Sequence, residues 1–596
     1  MKSTKCLWLA RQSARANCSA AARVGRPPQW SPAQIQLLGG AAPIAASRTL
    51  STKPDGRSKL SAFASEQETR ESASPFKQHR QKELREDQES EDPLYPDPYP
   101  RLESLPARKS VPEFLEDFHE GVAYENVTLT GRVRSKRVVG KSLIFLDIVN
   151  EFQKVQVMIN KNKSVTGIAT RTNSGEPTLE ARQLPELLSP SMEQIPEKLT
   201  DARTRMHERH VDMLVNREVV DVLRLRAEIT KHMRDHFHSR RFLEFQTPIL
   251  AENAGGAVAR PFVTKATEFR NKDLALRIAP ELWLKRLVVG GVDKVFEIGP
   301  AFRNEGVDAT HNPEFTMCEF YSAYTNLSDL INETEELMYS LAKHCQDLIS
   351  SQLTSLPPID LSRFGRPFKQ VEFIPALEEA IGIRFPKLTA EGAFPELLAV
   401  LKLAGIRIPG EVPTSLPKLL DRLAAVYIEP MSFNEPVFIT NHPVCMSPLA
   451  KGFLCPKTYQ LVSARAELFV GGRELANMYE EENDPEEQKR KLNAHRSLVN
   501  KPDGEVGFEN AAAAEETSAP SLAEEAEMDE WETSPLDQSY VKALDFALPP
   551  TGGWGCGVER LVMLFSGANR ISDCLSFGTL RNVVGLSADD KETPSK

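Results

Sequence analysis

The run Phe302-Arg303-Asn304-Glu305-Gly306, followed by His311-Asn312-Pro313-Glu314-Phe315-Thr316-Met317, constrains this chain more than any other stretch. It lies between two apolar strands, Lys294-Val295-Phe296-Glu297-Ile298 and Phe315-Thr316-Met317-Cys318-Glu319-Phe320-Tyr321. A strand–loop–strand hairpin with these side chains can hold a nucleotide. The arginine meets a phosphate. The aromatic face stacks on a base, and strand backbone reads the base edge.

Two further patterns flank it. Upstream, Leu225, Ile229, Met233 and Phe237 recur at helical spacing and form one apolar stripe. Arg240 and Arg241 follow, with charge suited to a helix C-terminus. Residues Phe242 to Thr247 then alternate like a strand and stop at Pro248, which cannot donate to a ladder. Taken alone, helix-then-strand describes many plain cores. Downstream, Gly553-Trp554-Gly555-Cys556-Gly557 reads as a strand whose glycines admit a ligand close to the backbone. Val558 to Phe565 reads as an apolar helix with Arg560 near its start. That arginine pairs either with a core carboxylate or with a ligand phosphate.

In this order the three patterns resemble motifs 1, 2 and 3 of class II aminoacyl-tRNA synthetases, with motif 2 in its lysyl version. The resemblance covers roughly residues 93–583, with gaps. It implies an α+β fold: a catalytic domain over 205–583, built as an antiparallel sheet flanked by helices and unlike a Rossmann fold. It also implies a homodimer through motif 1. The ATP site would comprise Arg303, Glu305, His311, Asn312, Phe315, Met317 and Arg560. Arg303, His311 and Arg560 would be the catalytic charges. The turn at Gly471-Gly472 would bring Glu467 and Glu474 together as oxygen ligands for Mg²⁺.

Substrate identity rests on the side chains that match the lysyl pattern. Glu281 and the Gly256 backbone would hold an α-amino group. Glu319, Tyr321 and Glu481 would surround an ε-ammonium, and Asn477, Tyr479 and Gly555 would complete the pocket. Carboxylates left unpaired by a neutral side chain would reject it. L-Lysine, ATP and tRNA(Lys) are the implied partners. Aspartyl- or asparaginyl-tRNA synthetases share the fold but would not place those three residues around the side chain. A ligase that lysylates a protein factor would lack the N-terminal domain described next. A catalytically dead scaffold would not need Arg303, Glu467, Glu474 and Arg560.

Residues 109–204 read as a small five-stranded barrel. Asn126 to Val133, Leu143 to Ile148 and Lys154 to Ile159 have strand character, and Arg132, Arg134, Lys136, Arg137 and Lys141 add charge beside aromatics. Short strands, basic charge and aromatics suit an OB-fold that stacks single-stranded bases. By resemblance to the lysyl anticodon-binding domain, Phe145 would stack on an anticodon base and Gln156 would hydrogen-bond one. The chain passes almost directly from Ile159 to Val165, where relatives place a plug helix. That predicts a shortened barrel with apolar interior exposed at one end.

The rest is bounded by composition. The chain has 596 residues, 41% hydrophobic, and a net charge of −10, which argues against a general nucleic-acid coat. No apolar run is long enough to span a bilayer, so no membrane contact is expected. Its eight cysteines include no CxxC pair and read as reduced intracellular thiols. Residues 1–52 bear arginine, lysine, alanine and serine, and no acid precedes Asp55. This is the pattern of a mitochondrial transit peptide, and the expected destination is the matrix. Residues 53–108 read as disordered linker, 500–534 as a disordered acidic insertion, and 584–596 as a tail.

Overall fold

The computed structural model describes residues 74–584 except 94, 96, 102–107, 121–127, 141–142, 161–167, 172–174, 176, 182–185, 258, 269–271, 411–412 and 500–536. The leader reading for 1–52, the insertion 500–534 and the tail from 585 onward fall outside the described residues. The chain divides into two units, the first ending at Pro96.

In the first unit, Pro75–Gln88 is a helix of 14 residues, where composition predicted only linker. Its start is locally encoded. The Ser74 hydroxyl accepts from the Lys77 amide at 3.1 Å, and Pro75 sits where a helix has no use for its amide. The helix is almost wholly polar, with Leu84 its buried side chain, so no apolar stripe announces it.

The second unit begins with the barrel. Its strands are Arg132–Val139, Leu143–Asn150, Gln153–Asn160, Ile168–Arg171 and Pro177–Glu180. The first three pair as an antiparallel meander, the third pairs in parallel with the fifth, and the fifth pairs with the fourth. This is the connectivity of an OB-fold. Alternation sends Leu146, Ile148, Val155, Val157 and Ile159 inward. A short helix, Val111–Glu116, precedes the barrel strands, with Ser110 and Glu113 forming a capping box. The stretch 161–167, on which the shortened-barrel expectation falls, lies outside the described residues. Val111 and Phe114 of that helix are fully buried in the barrel core.

The remainder is organised by one eight-stranded sheet. Its order is Lys369–Glu372, Val437–Thr440, Arg465–Val470, Arg473–Glu480, Thr551–Gly557, Glu314–Ala323, Lys294–Phe302 and Leu243–Glu244. The outermost pair at each edge is parallel and the rest are antiparallel. The strand expected over 242–247 shrinks to Leu243–Glu244.

Each central strand alternates. Cys318, Phe320, Met478, Trp554 and Cys556 face one side, where helices Arg217–Ser239, Leu327–Ser351 and Val558–Ser566 cover them. The stripe Leu225, Ile229, Met233 and Phe237 is fully buried there. A second apolar core lies under Phe373–Ile381, Ala393–Leu403 and Leu416–Tyr427. No helix among the described residues is long and apolar enough to cross a membrane.

Phe114→Ala should cost the barrel about 3–5 kcal/mol, the usual price of emptying a buried aromatic site. Amide exchange should accelerate across residues 132–160 and stay unchanged across 314–323 and 551–557. Unaltered protection in the barrel strands would show that the helix is not part of its core.

Candidate active site

The face of the sheet opposite the helices carries the polar side chains. Backbone register sets them in rows. Glu297, Glu319, Gly555, Asn477 and Glu467 lie opposite one another across five strands, and Tyr321, Gly553, Tyr479 and Arg465 form the next row. Gly553 has a steric reason: a Cβ there would come within 2.0 Å of Glu481 Oε1 and 2.6 Å of the Tyr321 ring. Gly256 has φ +94° and approaches the Glu281 Cβ, so no side chain fits between them.

The middle of these rows, from Glu319 and Tyr321 to Asn477 and Tyr479, floors a cavity of about 470 Å³. At one end are Arg303, Glu305, His311, Asn312, Phe315, Met317, Glu474 and Arg560; at the other are Gly256, Glu281, Glu319, Tyr321, Asn477, Tyr479 and Gly555. Glu467 and Glu481 are not part of its lining.

At the first end, the Arg303 guanidinium lies 5.1 Å from the Phe315 ring centroid, and burial lowers its pKa. His311 pairs through Nδ1 with Asp308 at 2.8 Å, which leaves Nε2 3.5 Å from the Arg560 guanidinium. Arg560 donates to the Glu474 carbonyl at 2.8 Å and pairs with its carboxylate at 3.2 Å. Asn312 is held from both sides, donating to the Glu314 carbonyl and accepting from the Leu580 amide. Sequence reasoning missed the tie beneath these groups. The buried Glu559 accepts from the Thr316 amide at 3.1 Å and pairs with Arg226 at 2.9 Å, joining all three motifs. Arg226 sits beside the apolar stripe of its helix and reads as a surface charge, so only its spacing hinted at a role.

At the second end the charges are dense. Tyr321 donates to Glu319 at 3.1 Å, and Tyr479 donates to Glu281 at 2.7 Å. Burial raises the pKa of both phenols. Glu481 is 1% exposed and pairs with Lys285, a residue that sequence reasoning did not single out. Lys285 is the i+4 neighbour of Glu281 and its ammonium also meets that carboxylate at 2.5 Å. The residue pairing is the one signal in the sequence that could have found it.

The metal expectation needs adjustment. Glu467 and Glu474 do come from adjacent strands joined at Gly471-Gly472. Yet both Glu467 oxygens are taken, one by Arg465 and one by His442 at 3.1 Å. Burial would raise its pKa, but Arg465 and His442 hold it at about 2. Among the described residues no group of three or more His, Cys, Asp or Glu side chains could hold a metal. Negative charge is nevertheless in surplus here. Glu429 is pushed up to about 7 by burial and then by Asp421, Glu467 and Glu474. Such a donor set fits an ion like Mg²⁺ that takes most ligands from phosphate and water. Glu467 joins only by exchanging a partner.

On the barrel, Phe145 and Gln156 share the outer face: Phe145 stands opposite Met158, and Gln156 opposite Asp147. The Arg137 guanidinium lies 5.9 Å from the Phe145 ring centroid. Gln156 is 2% exposed and accepts from Thr178 at 3.2 Å, so it is less available to a base than expected.

An antiparallel sheet with this arginine-bearing hairpin and glycine strand defines a class II synthetase. The family described as tRNA synthetases class II (D, K and N) matches residues 201–581, and the chain belongs to it. It is 37% identical to the mitochondrial lysine–tRNA ligase of Schizosaccharomyces pombe, over 81% of this chain and 91% of that protein. It is 35% identical to the lysine–tRNA ligase cla4 of Cladosporium cladosporioides, over 76% of each. It is also 35% identical to the lysine–tRNA ligase of Carboxydothermus hydrogenoformans, over 79% of this chain and 91% of that one. Within the class, the chain is a lysine–tRNA ligase by family.

Glu319 gives a pH signature. Burial, and then Glu281, push its carboxyl to about 8 in the ligand-free site. The folded state therefore holds this proton more tightly than the unfolded chain. The stability from this group falls as pH rises from about 4.5 to about 8, and is level outside that window. In Glu319→Gln the unfolding midpoint should fall less across that window than in the wild type. Parallel thermal-unfolding profiles for the two proteins would refute the assignment.

Proposed function

We propose that this chain activates L-lysine with ATP and transfers it to the 3′ end of tRNA(Lys) in the mitochondrial matrix. One observation carries the amino-acid assignment. Glu281, Glu319 and Glu481 are each less than 5% exposed; Lys285 pairs with Glu281 and Glu481, and Arg303 acts on Glu319 from the phosphate end. Buried carboxylates need positive partners, and a diamino acid brings two.

The chemistry follows from charge. The lysine carboxylate attacks the α-phosphorus; a P–O bond forms and pyrophosphate leaves. No covalent nucleophile is needed, only alignment and charge neutralisation. Arg303 serves the α-phosphate and the carboxylate, a bidentate task that suits a guanidinium. His311 and Arg560 take the β and γ phosphates, and Glu305 belongs to the same ATP site. Phe315 stacks under adenine with Arg560 over its other face, while Asn312 and the Met317 backbone line the base. Mg²⁺, held through Glu474 and Glu467, would add positive charge at the phosphates when bound. The adenylate carbonyl is then attacked by the terminal ribose hydroxyl of tRNA, and AMP leaves.

Phe145 and Gln156 would read the anticodon, Gln156 after exchanging its Thr178 contact. The homodimer would form through motif 1. Leu243 (53% exposed), Ile249 (40%) and Leu250 (50%) lie beside it as an apolar surface of the kind that interfaces bury.

Arg303→Ala should cut lysine-dependent ATP–pyrophosphate exchange by about 10²–10³-fold, the loss expected from removing one transition-state donor. Near-normal exchange would rule the role out. A fusion of residues 1–52 to a fluorescent reporter should enter mitochondria and be trimmed near Ser51, because the segment is basic and acid-free. A diffuse cytosolic signal would sink the targeting.

A further inference from the structure

Lys285 is 0% exposed, on the helix Glu281–Val289. Its ammonium meets Glu281 at 2.5 Å and pairs with Glu481. It also lies 5.8 Å from the Tyr321 ring centroid and 5.7 Å from those of Tyr479 and Tyr540. A cation among three aromatic faces and two carboxylates is fixed in place. Burial opposes its charge, yet Glu281 and Glu481 hold its pKa well above the ordinary value. Both its partners are the carboxylates assigned above to the substrate's ammonium groups. Glu481 Oε1 has no hydrogen-bond partner among the described residues and sits against Gly553, whose other neighbour is the Tyr321 ring, just behind the residues that line the cavity.

We propose that Lys285 is a specificity-positioning residue: its ammonium orients Glu281 and Glu481 and sets the pocket's surplus negative charge to two, the charge that a diamino acid's two ammonium groups cancel. The inference rests on the lysine reading and deepens it. In the ligand-free site Glu319 keeps its proton. With the substrate's ammonium groups in place and all three carboxylates ionised, three carboxylates against one internal ammonium leave two negative charges for the substrate to cancel. An amino acid with a neutral side chain cancels one and leaves a buried carboxylate unpaired. Removing Lys285 alone leaves three. Neutralising Glu481 alone leaves one, and also turns the Lys285 ammonium into a repulsive neighbour of the incoming ε-ammonium. Removing both restores two.

The test is a double-variant cycle in the full-length chain. Lysine-dependent and norleucine-dependent ATP–pyrophosphate exchange are measured for wild type, Lys285→Met, Glu481→Gln and the double variant. Each single change should raise the KM for lysine by about tenfold or more, the size of one mispaired charge, while the KM for ATP moves less than about threefold. The double variant should use lysine at least about fivefold better than either single one, and should prefer lysine over norleucine more than Glu481→Gln does. A merely structural Lys285 predicts the reverse, with the double variant worse than both. Lysine and ATP KM values rising together would also overturn the proposal. If Lys285→Met is insoluble, the comparison of the double variant with Glu481→Gln decides. An insoluble double variant refutes it too, because the pair would then hold the fold rather than the pocket. A wild type that activates some other amino acid and not lysine would sink the lysine reading itself, whereas normal lysine use without the double-variant recovery sinks only the role of Lys285.

Discussion

The two-residue period of the strands governs this molecule. Along 314–323, Cys318 and Phe320 enter the helix-covered core while Glu319 and Tyr321 enter the cavity. The neighbouring strand repeats the division, with Trp554 and Cys556 inward and Gly553 and Gly555 toward the ligand. A slip of one residue along 314–323 would bury the Glu319 carboxylate under the helices and put Phe320 in the pocket, and a slip along 551–557 would put the Trp554 ring there. The packing that stabilises the sheet therefore also fixes which side chains meet the substrate.

Charge is distributed around the cavity with equal economy. At the phosphate end, cations converge: Arg303, Arg560 and His311, steadied by Glu474 and Asp308. At the amino-acid end, carboxylates converge around a single lysine. The buried pair Arg277–Glu297, at 2.6 Å, stands in the same row as Glu319 but is fully matched and makes no demand on a ligand. What distinguishes site from scaffold is thus not buried charge but buried charge out of balance.

Much of this was legible in the sequence because the informative residues fall in contiguous runs. The hairpin 302–317, the glycine strand and the helical stripe each carry their own period, and the structure places them as one sheet and its covering helix. What could not be read depended on contacts between distant segments. Lys285 follows Glu281 by one helical turn and looks like an ordinary surface pair; only Glu481, far along the chain, reveals its role. Glu467 reads as a free ligand until Arg465 and His442 are seen on it. Gln156 reads as exposed until Thr178 pairs with it across a parallel strand contact. The helix Pro75–Gln88 was missed for the opposite reason, since its capping is local but it has little apolar surface.

The strand Thr551–Gly557 comes from near the end of the chain, yet it lies between 314–323 and 473–480 in the middle of the sheet. The helix Gln538–Leu544 that leads into it is anchored too, with Asp537 paired to Arg286 at 2.6 Å and Tyr540 buried beside Lys285. The described residues on both sides of 500–536 are thereby secured to the same body. A chain severed there would keep its two pieces in register through a full ladder on each side of one strand. The site is in that sense the meeting place of two stretches of chain, one on each side of 500–536, joined along a single strand.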